Sequence, residues 1–157
     1  MIDAALTLVG PNGPMRGGAD HGVPNRRGGE AISVLDVRHT LVSPRDVVTG
    51  AATGKRRHAP IVVTKEVDRA TPQLLQVWAR NDVLTTWRLD VFAADAFGRR
   101  VPRYTIELGR AQVVEIALVT PEDAAFPRES VAFAYERITW TWADGNVTTT
   151  DDWLASQ

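Results

Sequence analysis

A chain of 157 residues with 44% hydrophobic and 24% charged residues has the make-up of an ordinary globular protein, long enough to bury roughly two thirds of its unfolded surface. Eighteen basic against nineteen acidic side chains leave a net charge of −1, which gives no general attraction to nucleic acid or to an anionic membrane. The absence of cysteine excludes a disulfide scaffold, a cysteine nucleophile, a thiolate zinc site and an iron–sulfur cluster.

The N-terminus, Met1-Ile2-Asp3-Ala4-Ala5-Leu6, carries an acid and lacks the basic flank and apolar centre of a secretory signal. A short strand is expected at Ala4–Val9. Residues 10–30 then hold most of the twelve glycines and three prolines, and read as a mobile loop. Ala31 to Val42 is rich in β-branched residues and reads as one strand, closed by Ser43-Pro44. A second irregular, mobile stretch covers about 43–58, and Pro60–Thr64 is a strand.

One helix is expected, at about 72–80. Thr71 supplies an N-cap hydroxyl, Pro72 stands at the first helical position where a missing N–H costs nothing, and Asn81 can end the helix in a left-handed conformation. On a helical wheel Val77, Leu74, Trp78, Leu75 and Ala79 cover an arc wider than one sheet requires, with Gln73, Gln76 and Arg80 on the polar side. Either the helix is sunk deep in its own domain or a second surface covers part of it.

Strands follow at Thr86–Ala93, Pro102–Leu108 and Gln112–Val119, the last two joined by Gly109-Arg110 as a tight hairpin. Between Ser130 and Trp142 the bulky positions change parity, from Val131, Phe133 and Tyr135 to Ile138, Trp140 and Trp142. A strand does this by bulging or by passing from one sheet to another at a corner; the alternative is a strand buried on both faces. Asp144-Gly145-Asn146 marks a turn into a strand at Val147–Thr150. The longest apolar run, Val131–Tyr135, is far short of the ~20 residues of a membrane helix.

Motifs of chemistry are sparse. Gly50-Ala51-Ala52-Thr53-Gly54-Lys55 falls short of a phosphate loop, with one residue too few between the glycines and Arg56 where Ser or Thr would bind Mg²⁺. His21, His39 and His58 lie nearly twenty residues apart, without ligand spacing. None of Ser33, Ser43, Ser130 and Ser156 lies in a nucleophile elbow. Glu107, Glu115 and Glu136 sit on strands, where a solvated face is the simpler reading than a glycosidase pair. Lys55-Arg56-Arg57-His58 lacks interleaved aromatics. It fits a basic loop tip meeting an acidic patch on an identical neighbour better than it fits nucleic acid.

Thr49-Gly50-Ala51-Ala52-Thr53-Gly54-Lys55-Arg56-Arg57-His58-Ala59-Pro60, followed by Val63-Thr64-Lys65-Glu66-Val67-Asp68-Arg69-Ala70-Thr71-Pro72-Gln73-Leu74, resembles the Hcp family, the haemolysin-coregulated tube proteins of bacterial type VI secretion. Tyr135-Glu136-Arg137-Ile138-Thr139-Trp140-Thr141-Trp142 is similar to that family's closing strand, and the likeness runs from Ala4 to about Thr150.

The resemblance implies a mainly β fold: a compact β-barrel of two antiparallel sheets with one flanking helix and an extended loop at about 43–58, forming a single tube domain over 1–157. It implies six copies closing into a ring, and rings stacking into a hollow tube that sheath contraction expels with a spike at its tip. A small effector in the lumen would be a further partner. Thr49, Gly50, Thr53, Gly54, Lys55, Arg56 and Arg57 would reach over the neighbouring subunit. Thr71, Pro72, Leu74, Leu75 and Trp78 would form the helix and its cap, and Tyr135, Ile138, Trp140 and Trp142 the closing strand. No active site and no cofactor are implied, and neither nucleic acid nor membrane is an expected partner. The protein would stand in the bacterial cytoplasm before firing and leave without a signal peptide. Two other readings remain at this point: a monomeric β-barrel binding a small ligand or peptide, and a hydrolase using Glu107, Glu115 or Glu136.

Overall fold

The computed structural model describes residues 2–18 and 31–153. The loop expected at 10–30 therefore lies outside the described residues from 19 onwards, as does His21. Within its described part, Gly13–Pro14 (β2) turns back on β1, Ala4–Gly10, rather than staying irregular.

The expected strand Ala31–Val42 is instead three strands in three sheets. β3 (Ile32–Val34) pairs with β1, β4 (Asp36–Arg38) pairs with β7 (Ile61–Glu66), and β5 (Leu41–Val42) pairs with β6 (Arg57–His58). β-Branched content makes each piece extended but cannot say which neighbour it joins. The helix α1 spans Thr71–Arg80. β8 (Thr86–Ala94), β9 (Arg100–Gly109), β10 (Gln112–Val119), β11 (Arg128–Ala134), β12 (Arg137–Trp142) and β13 (Val147–Asp152) complete the order.

Two antiparallel sheets enclose the core. The larger runs β13-β12-β9-β8-β1-β2, with β3 also on β1; the smaller runs β10-β11-β7-β4. No ladder closes the two into a continuous cylinder among the described residues. The hairpin expected at Gly109-Arg110 is absent. β9 stays between β8 and β12, while β10 pairs with β11 in the other sheet. Arg110 takes φ 55° there, and the chain crosses between sheets instead of folding back. The parity change before Ile138 has the same origin. β11 belongs to the smaller sheet and β12 to the larger, and Tyr135-Glu136 is the corner. The turn at Asp144–Asn146 is as expected, with Gly145 and Asn146 both at positive φ.

The inward faces meet in one core. Leu8, Trp87, Leu108 and Ile138 stand opposite one another across four strands, and Leu6, Leu89, Ile106 and Trp140 form the next row. Ile61, Val63, Val131 and Phe133 face them from the smaller sheet, and the Trp87 and Phe133 rings meet edge to face at 5.6 Å. Leu74 and Val77 of the helix enter the same core.

The helix start differs in detail from the expectation. Ala70, not Thr71, is the N-cap, and it makes no side-chain cap. Asp68 does the local work, its Oδ1 accepting the Ala70 N–H at 2.8 Å. The Thr71 hydroxyl accepts from the Asp68 N–H and donates to Glu129 Oε2 at 2.6 Å, stitching the helix to β11. Asn81 ends the helix at φ 55°, with its N–H on the Trp78 carbonyl.

Candidate functional site

The loop between β5 and β6 projects from the sheets as a structured finger. The Asp46 carboxylate accepts the N–H groups of Thr49 (2.8 Å) and Val48 (2.9 Å), which holds it below its ordinary range. The Asp46 N–H donates to Ala51 O and the Gly50 N–H to Asp46 O, with Gly50 at φ 74°. Thr49 Oγ1 accepts from the Ala51 N–H, and the Thr53 N–H donates to Pro44 O. Thr49 and Gly50 thus shape the turn itself. Gly54 makes no close approach that a Cβ would disturb.

The apex is apolar, not basic. Val47 and Val48 are 99% and 90% exposed. The basic run Lys55-Arg56-Arg57 lies on the returning leg, near the base of the finger, so the expected basic tip is corrected. Arg56 grips Asp151 of its own chain in a two-pronged contact, 2.8 Å through Nε and 2.7 Å through Nη2, while Lys55 and Arg57 stay on the surface. A consecutive Val-Val inside a polar, Gly-rich stretch was the signal for this apex.

Two histidines that the sequence leaves scattered meet at the base. His39 Nε2 lies 2.7 Å from the Tyr135 hydroxyl, and His58 Nδ1 lies 2.8 Å from the same oxygen. His58 Nε2 reaches Asp151 Oδ2 at 2.8 Å, and Trp153 stacks on the His58 ring at 5.4 Å while donating its indole N–H to Tyr135 O. Burial, then the charge on Asp151, pushes the Tyr135 phenol up. The Arg56 hydrogen bond, with His58 beside it, holds Asp151 low. Burial, then His58, lowers His39, against an opposing backbone hydrogen bond at Ala59. Sequence reading missed this cluster because its members come from four separate segments.

Apolar side chains on three further elements are left open. On the helix, Leu74 is buried and Pro72 stands in the first turn, but Leu75 and Trp78 are 44% and 51% exposed. The helix is therefore not sunk within its own chain. On β12, Ile138 is buried, Trp140 packs against the core, and Trp142 lies half exposed beneath the Arg103 guanidinium. On β10, at the edge of the smaller sheet, Val114, Leu118 and Val119 are exposed. Glu107 pairs with Arg88 and Glu136 with Arg110, while Glu115 lies on the other sheet, so these carboxylates do not converge. Among the described residues no group of three or more metal-ligating side chains could hold an ion.

Residues 24–142 match the family described as "Type VI secretion system effector, Hcp". The chain is 33% identical over 130 residues to the "Major exported protein" of Pseudomonas aeruginosa, covering 79% of this chain and 76% of that protein. Among solved structures it is similar to the Hcp1 protein of the E. coli EAEC 042 pathovar, with a TM-score of 0.85, 30% identity, and coverage of 98% of this chain and 99% of the other. The secreted protein Hcp3 of Pseudomonas aeruginosa gives a TM-score of 0.78 at 26% identity, over 98% and 99% of the two chains.

Proposed function

The chain belongs to the Hcp family of type VI secretion proteins, and from that premise we propose that it is a structural subunit of the secretion tube, six copies closing into a ring and rings stacking into a hollow cylinder. As a member of that family it is a secreted structural protein rather than an enzyme.

One observation carries the proposal. Different elements of a single chain leave apolar side chains in water: Val47 and Val48 on the finger, Leu75 and Trp78 on the helix. A ring is a head-to-tail assembly, in which each copy buries two different faces against its two neighbours. A finger with an apolar apex is one half of such a contact, and an apolar helix or strand surface on the next copy is the other. The Asp46 turn keeps the finger's shape with bonds of its own, so presenting Val47 and Val48 does not require a partner to order them.

The mechanism is mechanical. The tube transmits the push of a contracting sheath, with a spike protein at its tip, so the subunit must be stiff and its contacts must hold under load. The packed interior between the sheets, filled by Trp87, Phe133, Leu89 and Ile106, supports stiffness more than it supports a ligand-binding barrel. A small effector held in the lumen would be exported with the tube. The protein would wait in the bacterial cytoplasm and leave through the machine. Among the described residues no helix is long and apolar enough to cross a membrane.

Size-exclusion chromatography with light scattering, together with negative-stain imaging, tests the proposal. Six-fold rings are expected. A monodisperse monomer at high micromolar concentration, with no rings in the images, overturns it.

A further inference from the structure

The hairpin that joins β8 to β9 shapes itself with its own bonds, as the finger does, and it too presents an apolar apex. Asp95 Oδ1 accepts the N–H groups of Phe97 at 2.8 Å and Arg99 at 2.9 Å. The Asp95 N–H donates to Arg99 O at 2.8 Å and the Gly98 N–H to Asp95 O at 3.0 Å. Gly98 takes φ 76°, which suits a residue without a Cβ. Phe97 stands at the tip, 83% exposed. The Arg99 guanidinium lies over its phenyl group, 5.3 Å from the centroid. None of the bonds that shape the turn uses that phenyl group.

A cleft lies toward the opposite end of the larger sheet. Gly109, Arg137 and Asp152 stand side by side at that end, while Ala94 and Arg100 pair at the Phe97 end. β9 spans ten residues, so the two ends are about 30 Å apart. The cleft opens where the base of the finger meets β12 and β13. It holds about 220 Å³ among Leu41, Val42, Trp140, Arg56, Arg57 and Asp151. A cavity of roughly 150 Å³ accepts a benzene ring, so this one has room for a benzyl side chain. Asp151 fixes the Arg56 guanidinium there, and a guanidinium beside an aromatic face is a favourable neighbour.

We propose that Phe97 anchors one copy of this chain to another, its phenyl group seated in the Leu41–Val42–Trp140 cleft of a copy in the next ring of the stack. The inference deepens the tube reading and rests on it. Knob and cleft sit at opposite ends of one molecule, so a chain cannot fill its own cleft. The contact is head-to-tail, and repeated it runs on in one direction. Its direction separates it from ring closure. The helix packs beside β10, at the edge of the smaller sheet, so contacts made through it run across the strands. Contacts through Phe97 run along them. One seated phenyl group is a small contact, but the six of a ring engage together.

Two measurements on the full chain test this. In the first, a photoreactive benzophenone amino acid replaces Phe97 in the purified protein, and the irradiated product is mapped by peptide mass spectrometry. Cross-links from one copy to Leu41, Val42 or Trp140 of another are expected. Cross-links to the 95–98 hairpin of another copy would mean that like ends meet, and would overturn the anchor, as would cross-links mapping only elsewhere. In the second, Phe97→Ser and Leu41→Lys each alter one side of the contact and leave the Asp95 turn in place. Both variants should keep the light-scattering mass of a single ring. The concentration at which rings stack should rise by about tenfold or more in either. The double variant should stack no worse than the weaker single one, because both substitutions remove the same contact. Stacking at the parent's concentration by either single variant overturns the proposal while leaving the rings standing. A parent that forms no rings refutes the tube reading instead, and the cross-link map still decides whether Phe97 meets the cleft.

Discussion

Lys65 and Glu129 form an ion pair in which neither side chain reaches solvent, with Nζ 3.2 Å from Oε2. Lys65 continues the inward row of Ile61 and Val63, so the ammonium is delivered into the core by strand parity alone. There it also donates to Asp68 Oδ1 at 2.8 Å and to Glu66 O at 2.9 Å. Lys65→Met would leave two carboxylates unpaired in a buried site and should cost about 3–5 kcal/mol in a denaturant titration. Lys65→Met combined with Glu129→Leu should recover part of that loss. If the single variant is as stable as the parent, this cluster does not join the helix start to the smaller sheet.

The helix surface separates folding from assembly. Trp78 and Leu75 are half exposed in one chain, so Trp78→Glu with Leu75→Glu should shift the unfolding midpoint little. A buried interfacial Trp is a typical hot spot, worth about 2 kcal/mol or more, or roughly thirtyfold in affinity. The variant should fall apart into smaller species on dilution in light scattering while its circular dichroism stays native.

The finger makes a parallel prediction. Val47→Asp with Val48→Asp leaves every turn-forming group of Asp46, Thr49 and Gly50 in place. Thermal stability should be unchanged and ring formation weakened. Deleting Thr49–Arg57 should weaken assembly too, but it also removes the Arg56 grip on Asp151 and so should loosen the base of the finger. Rings formed as readily by both variants as by the parent would refute the finger's role.

Stability should depend on the His39 ring in a direction that its lowered titration fixes. A half-buried imidazole that resists protonation in the native state binds fewer protons than in the unfolded chain. Its contribution is therefore intact above the ordinary imidazole value of 6.5 and is lost as the pH falls below it toward the depressed native value. Melting temperatures compared at neutral and mildly acidic pH should fall further for the parent than for His39→Gln.

Asn81 tests the helix end. At φ 55° a glycine is at no disadvantage, so Asn81→Gly should be neutral within about 1 kcal/mol. Asn81→Val puts a β-branched side chain in the left-handed region and should cost about 1–2 kcal/mol by chemical denaturation.

Local signals in the sequence were sufficient for the helix and the longer strands, but not for the short β2 and β6 or for the division of Ala31–Val42 into three. Pro72 in the first turn and Asn81 at the left-handed end bounded the helix, although Ala70 and not Thr71 is its N-cap, because such signals act on backbone groups only a few residues away. Alternation gave the strands, and Gly145-Asn146 gave the last hairpin, for the same short-range reason. The mainly β class followed from those elements; the two-sheet arrangement came with the likeness of residues 49–74 and 135–142 to the Hcp family.

Only the tertiary structure decided which strands pair. Gly109-Arg110 permits a sharp reversal, but whether the chain turns back in the plane of one sheet or crosses to the other depends on where β8, β11 and β12 already stand. The same holds for Ala31–Val42, whose extended residues are shared among three partners. The base of the finger is the extreme case: His39, His58, Tyr135 and Asp151 are up to about a hundred residues apart and have no spacing to read. Hydrogen-bond chemistry acts over about 3 Å, and it is the fold, not the order of residues along the chain, that sets which groups come that close.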